Sequence, residues 1–186
     1  MLRKWIVALL FLATPTFVFA GKLEVGKPLP EVAVEDNGQI YFKTKDQLAY
    51  KPWSSKEVTG KVRSIYHLAA SLSASKINEA YTDELDKLKL PVDKFQTLTI
   101  LNLDDAMLGT GPFVRSESEK NQRKYATTWF LLDADGKVRD AWGLTPDSSA
   151  VILVDQEGKV LMFKDGKLSP EEIKQFLETI KMKMTP

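Results

Sequence analysis

The segment Gly60–Ser75, GKVRSIYHLAASLSAS, brings the chain's one histidine close to three serines: His67 precedes Ser71, Ser73 and Ser75. An imidazole within hydrogen-bond reach of a hydroxyl, and itself oriented by a carboxylate, makes a serine nucleophilic. Asp104 or Asp105 could supply the carboxylate. A hydrolase also needs donors for the developing oxyanion, and this turn lacks the Gly-x-Ser-x-Gly form that provides them between a strand and a helix. The other reading of His67 is a core histidine whose hydrogen bonds are met by its neighbours.

Adjacent carboxylates such as Asp104 and Asp105 can bind a hard cation or a basic ligand, and they can equally cap the loop or helix that follows. One histidine and two aspartates would suit a divalent ion, but their spacing does not by itself support a metal site, so no metal or other cofactor is expected. Arg115, after the glycine-containing loop 109–114, could hold a carboxylate or phosphate in bidentate fashion or form a surface ion pair. Trp53 lies in the polar stretch 43–60 with Tyr50 and Pro52, where it could serve recognition or pack on the domain. Trp129 and Trp142 lie in or beside apolar runs and are expected in the core. Asp133–Val138 (DADGKV) and Asp155–Val160 (DQEGKV) resemble fragments of calcium loops but are too short and lack the bidentate glutamate. Each reads as a strand, a tight glycine turn and a return strand.

The elements that would position these groups follow from hydrophobic period. Asn37-Gly38 between two apolar runs is a hairpin signal. Val62–Ala69 is rich in β-formers, and the serines after it offer N-cap oxygens to a helix carrying Ile77, Ala80, Tyr81, Leu85 and Leu88 on one face. Leu90-Pro91 ends that helix, and Phe95–Leu103 is the next strand. Strand, helix and strand in this order predict a parallel βαβ unit whose strands end on one side of the sheet. That carboxyl edge, which Asp104 and Asp105 reach, is where open α/β folds usually place ligands. Residues 106–125 read as a loop followed by a solvated helix. The last segment has Ser169 as N-cap, Pro170 at the first helical position, Glu172 completing a capping box, and Ile173, Phe176, Leu177, Ile180 and Met184 on one face.

The first twenty residues begin with Arg3 and Lys4, continue through an apolar run from Trp5 to Ala13, and end with Val18 and Ala20 flanking Phe19. This pattern predicts a secretory signal cleaved after Ala20. Thr14, Pro15 and Thr16 interrupt the run, which is short of the roughly 20 apolar residues of a membrane span. No stable membrane anchor is expected after cleavage. Residues 21–186 then form one domain, long enough for a normal core. Of 26 basic residues the leader removes two, leaving 24 against 25 acidic ones and a charge near −1. A near-neutral chain lacks the basic footprint of a nucleic-acid binder. The 186 residues contain no cysteine, which excludes every thiol-dependent mechanism.

With the elements placed, the chain resembles the periplasmic thioredoxin-like and peroxiredoxin-like proteins, through Val25–Pro30 (VGKPLP), Gly60-Lys61-Val62 and the hairpin Asp155–Val160. It is similar, more closely, to the YtfJ family of exported bacterial proteins. The strings that carry this likeness are Tyr50–Trp53 (YKPW), Gly60–Arg63 (GKVR), Asn102–Asp105 (NLDD), Phe113–Ser116 (FVRS), Ser148–Val151 (SSAV), Lys164–Gly166 (KDG) and Leu168–Glu172 (LSPEE). The resemblance implies a thioredoxin-like α/β fold, with a central mixed sheet flanked by helices and an N-terminal β-hairpin. It also implies a periplasmic location and a family without an established activity. Leu72 and Ser75 stand where the reductases carry their two cysteines, and Ser149 stands where they have a cis-proline that shapes the substrate groove. The expectation is therefore a non-redox protein that binds a periplasmic protein, a peptide or a small ligand along the degenerate edge. His67, Ser73, Ser75, Asp104, Asp105, Arg115 and Trp53 are its candidate ligand-binding residues. The alternative is a non-thiol enzyme, a hydrolase or metal-dependent, that uses His67 with the Ser71–Ser75 turn and Asp104 or Asp105.

Overall fold

The computed structural model describes residues 22–107 and 109–184, so the predicted leader and its cleavage after Ala20 lie outside the described residues. In chain order the elements are β1 (Ala33–Phe42), β2 (Leu48–Ser54), a 3-10 turn at Ser55–Glu57, β3 (Val62–Ala69), α1 (Leu72–Ile77), α2 (Glu79–Lys87), β4 (Phe95–Asn102), α3 (Gly111–Lys124), β5 (Trp129–Asp133), α4 (Lys137–Trp142), β6 (Ser149–Val154), β7 (Val160–Asp165) and α5 (Pro170–Met184). The strands form one sheet in the order β2-β1-β5-β4-β3-β6-β7. β3 runs parallel to β4, and β4 to β5. β1, β6 and their partners β2 and β7 pair antiparallel. The sheet is therefore mixed, with the parallel βαβ unit at its centre, as the order of apolar segments predicts.

Successive side chains of a strand point to opposite faces, so one count along β3 sorts the core. Tyr66 and Leu68 join Val151 and Leu153 under α1, α2 and α5, where Tyr81, Phe176 and Ile180 close a cluster. Tyr81 and Phe176 meet edge to face at 5.8 Å, and the Tyr81 hydroxyl shares a 2.7 Å hydrogen bond with Ser64 from the same face of β3. Leu101, Phe130, Leu132 and Ile40 extend this face across the sheet to α3. Ile65 belongs to the opposite face with Ile100, Leu131, Ile152 and Trp53, covered by Val138 and Trp142 of α4 and by Leu23 and Leu29. The α5 capping box is formed as spelled: Ser169 N–H donates to Glu172 at 2.7 Å, and Glu172 N–H donates to the Ser169 hydroxyl at 3.2 Å.

Two turn assignments differ from the sequence expectation. Asn37 and Gly38 do not reverse the chain; they sit inside β1 with φ of +61° and +65°, where the register with β2 shifts. Left-handed backbone serves a β-bulge as well as a hairpin turn. Gly38 is required because a Cβ there would run into the Lys51 carbonyl on β2. The hairpin comes later, at residues 43–47, so the stretch expected to be a polar insertion becomes β2. The second difference is at Asp133–Val138, which leads into α4 rather than a return strand. The Asp133 carboxylate accepts from the N–H groups of Lys137 and Val138 at 3.1 and 2.7 Å and so starts a helix. Asp155–Val160 does form the predicted hairpin, between β6 and β7.

Candidate functional site

The serine turn closes on itself. Ser71 caps α1, its hydroxyl accepting from Ala74 N–H at 3.2 Å, and it lies 3.1 Å from the Ser73 hydroxyl. Ser75 donates to the Leu72 carbonyl at 2.9 Å. Asn78 then interrupts the predicted helix and splits it into α1 and α2. Between this turn and α3 opens a cleft of about 660 Å³. Leu68 and Leu101 form its floor, Phe113 and Val114 its far wall, and Ser71, Ser73, Ser75, Thr110, Asn121 and the carboxylate of Glu117 its polar rim. Leu72, Met107 and Phe113 are 82%, 78% and 65% exposed around it.

His67 is not part of this cleft. It is the neighbour of Leu68 in β3 and therefore faces the other side of the sheet, with Ile65. It is 2% exposed, and burial pushes its pKa down to about 4 against the opposing charges of Asp105 and Asp165, with Arg139 pushing the same way as burial. The imidazole is thus neutral near pH 7. Its Nε2 is buried and has no hydrogen-bond partner. The sheet separates it from all three serine hydroxyls, which overturns the pairing of base and nucleophile.

Asp104 and Asp105 are held by a residue the sequence reading passed over. Arg139 Nη1 lies 2.9 Å from Asp104 Oδ2 and 2.7 Å from Asp105 Oδ1, and Nε donates to Asp140 at 2.8 Å. Asp105 also accepts from Asn102 Nδ2 at 2.8 Å and from Asp147 N–H at 3.2 Å. The guanidinium stands where a cation between the two aspartates would have to stand, and its hydrogen bonds to Asp140 first, then to Asp104 and Asp105, raise the Arg139 pKa. Among the described residues, no three histidine, cysteine, aspartate or glutamate side chains converge as a metal-binding group. Arg139 and Asp165 were hidden from sequence reasoning by the return-strand reading of Asp133–Val138 and by the need for the β6–β7 register.

The remaining candidates scatter. Arg115 stacks over the Tyr50 ring at 5.2 Å, and Tyr50 donates to Glu119 at 2.6 Å, so these groups join α3 to β2. Burial and the Glu119 carboxylate push the Tyr50 pKa up to about 12. Trp53 is 2% exposed in the core and cannot line a recognition surface. Ser149 is buried on the helical face and accepts from Asn78 Nδ2 at 3.1 Å. Of the predicted set, Ser73 and Ser75 line the cleft, while His67 and Asp105 belong to a polar cluster on the opposite face.

The family model described as "Bacterial protein of unknown function (YtfJ_HI0045)" matches residues 23–183. The chain is 40% identical over 179 residues to "Uncharacterized protein YtfJ" of Escherichia coli (strain K12), covering 96% of each chain. It is 36% identical over 162 residues to an uncharacterized protein of Haemophilus influenzae, covering 87% of this chain and 88% of that one. In structure it is similar to the thioredoxin domain of a thiol-disulfide oxidoreductase from Bacteroides vulgatus, with a TM-score of 0.54, 16% identity, and coverage of 85% of this chain and 98% of that chain. That likeness establishes the thioredoxin-like fold. With a thioredoxin-like sheet, no cysteine, and a family match from the first strands to the last helix, the chain belongs to the YtfJ family.

Proposed function

We propose that this chain is a periplasmic binding protein without redox activity, and that its ligand is an extended peptide segment with apolar side chains lying between the Ser71 turn and α3. The observation that carries this reading is the open apolar cleft at the carboxyl edge of β3 and β4, the edge where the resemblance to the reductases puts their thiols. Its volume lies within the range of ligand pockets. Leu72, Met107 and Phe113 expose apolar surface there, and fully burying one such side chain is worth roughly 1.5–3 kcal/mol. The rim of hydroxyls, the Asn121 amide and the Glu117 carboxylate, which can accept from a peptide N–H, suits a ligand that alternates apolar side chains with amide groups. An acyl chain would leave these polar groups against hydrocarbon. The signal-like N-terminus supports export, and the absence of cysteine supports a role other than thiol exchange.

The test is fluorescence anisotropy with a dye-labelled peptide of alternating leucine and serine, using the mature protein and its Phe113→Asp variant, with a fatty acid as competitor. Binding by the native form, about tenfold or more weaker in the variant, is the expected result. Cleft occupancy by the fatty acid alone would reassign the site to lipid, and no binding of either would remove the proposal. An N-terminus at Gly21 on protein recovered from the periplasmic fraction checks the location independently.

A further inference from the structure

The face of the sheet turned away from the cleft carries a second polar arrangement. His67 on β3 pairs with Ala150 on β6, and Ala150 pairs with Asp165 on β7. Paired residues of adjacent strands share a face, so the imidazole and the carboxylate stand on either side of a single methyl group. Both end in a buried atom without a partner, Nε2 of His67 and Oδ1 of Asp165. The other carboxylate oxygen, Oδ2, accepts from the N–H and hydroxyl of Thr145 at 2.9 and 2.7 Å. Thr145, Pro146 and Asp147, in the loop that bonds to Asp165 through Thr145, are exposed. Asp147 in that loop is left-handed, with φ of +52°.

A buried polar atom left without a partner costs about 1–3 kcal/mol, more when charged, and here two occur on one face with only Ala150 between their residues. With the imidazole as the Nδ1–H tautomer, Nε2 presents a lone pair, and the carboxylate presents one at Oδ1, so a group that donates to both would satisfy them. The carboxylates of Asp104, Asp105 and Asp140 share one guanidinium, that of Arg139, and Asp165 adds a fourth carboxylate charge felt at His67, which makes the edge favour positive charge. Two acceptors are too few for a metal ion, which needs about four or more ligands. They do match the tetrahedral donors of a protonated amine. We infer that His67 and Asp165 form a binding site for a primary ammonium group, entering beneath the 145–147 loop and donating to Nε2 and Oδ1 together.

The single histidine makes the test direct. Long-range proton–nitrogen correlation NMR on the mature protein reads the Nε2 resonance while methylammonium chloride is added, with tetramethylammonium chloride, which has no N–H, at matched ionic strength. A saturable Nε2 shift with methylammonium only is expected, together with cross-relaxation between its methyl protons and the His67 ring. Asp165→Asn keeps an oxygen for Thr145 but turns a donor toward Nε2, and should weaken the response about tenfold or more. Equal shifts with both salts, no shift, a protonated Nε2 in the free protein, or an undiminished response in Asp165→Asn would each overturn the inference. Cross-relaxation is measured on the native chain and decides the matter even if the variant does not fold.

Discussion

The side-chain amide of Asn78 donates to the Ser149 hydroxyl at 3.1 Å, tying the break between α1 and α2 to the start of β6. The same amide donates to the Gly166 carbonyl at 3.0 Å, and its oxygen accepts from Leu168 N–H at 2.9 Å. One buried residue thus joins the wall of the cleft to the end of β7 and the approach to α5. Replacing it with alanine removes three hydrogen bonds and leaves buried groups unpaired. Asn78→Ala should lose about 2–4 kcal/mol in urea unfolding, with Asn78→Asp recovering only part because the carboxylate cannot donate.

His67 gives the fold a pH dependence of known sign. Its pKa is about 4 when folded, against an ordinary 6.5. Between those values the unfolded chain takes up the proton and the folded chain does not, so this contribution is complete above about pH 6.5 and is lost as pH falls toward 4. The gap corresponds to about 3 kcal/mol. Urea midpoints from pH 7 to pH 4 should fall less steeply in His67→Gln than in the native protein; parallel curves would mean that His67 is not buried as described.

Arg139 and Asp105 should be coupled. The Asp105 side chain is 7% exposed and that of Arg139 14%. Removing one partner leaves the other charge buried without its counterion. Arg139→Met and Asp105→Asn should each destabilise, and the double variant should be less destabilised than their sum by about 1–3 kcal/mol in a double-mutant cycle. Additive effects would show that the pair is solvated in solution.

Gly38→Ala tests the bulge in β1. The substitution places a methyl group against the Lys51 carbonyl in left-handed backbone. It should cost about 2 kcal/mol or more, and hydrogen exchange should show the loss of protection concentrated in β1 and β2. A turn at this position would have tolerated the change better.

Leu72→Asp and Phe113→Asp should change stability by less than about 0.5 kcal/mol, since both side chains are largely exposed, yet weaken peptide binding in the cleft about tenfold or more. A large loss of stability would instead give these side chains a packing role.

Much of the scaffold was legible because local and tertiary preferences agree. Ser169 and Glu172 form the box their spacing spells, and the order of Val62–Ala69, the following helix and Phe95–Asn102 gives the parallel pair. Asn37-Gly38 misled because positive φ identifies a conformation and not the reversal of a chain. Asp133 and Asp155 open nearly identical strings, but the first carboxylate caps a helix while the second accepts from Glu157 and Lys159 N–H within a hairpin. Only the packing of Val138 and Trp142 beyond the turn separates the two. For the candidate site, the cleft serines were readable from their place after β3. Arg139 and Asp165 were not, since their charges are brought near His67 only through helix docking and a register between strands distant in sequence.

The sidedness of β3 gives this protein a simple experimental signature. Even-numbered positions such as Tyr66 and Leu68 belong to the helical face that floors the cleft, and odd-numbered Ile65 and His67 belong to the face that includes Asp165. A residue-by-residue scan along the strand should therefore yield two interleaved series of effects, one responding to a peptide and the other to an amine. The boundary between the two proposed recognition chemistries is the peptide bond joining His67 to Leu68.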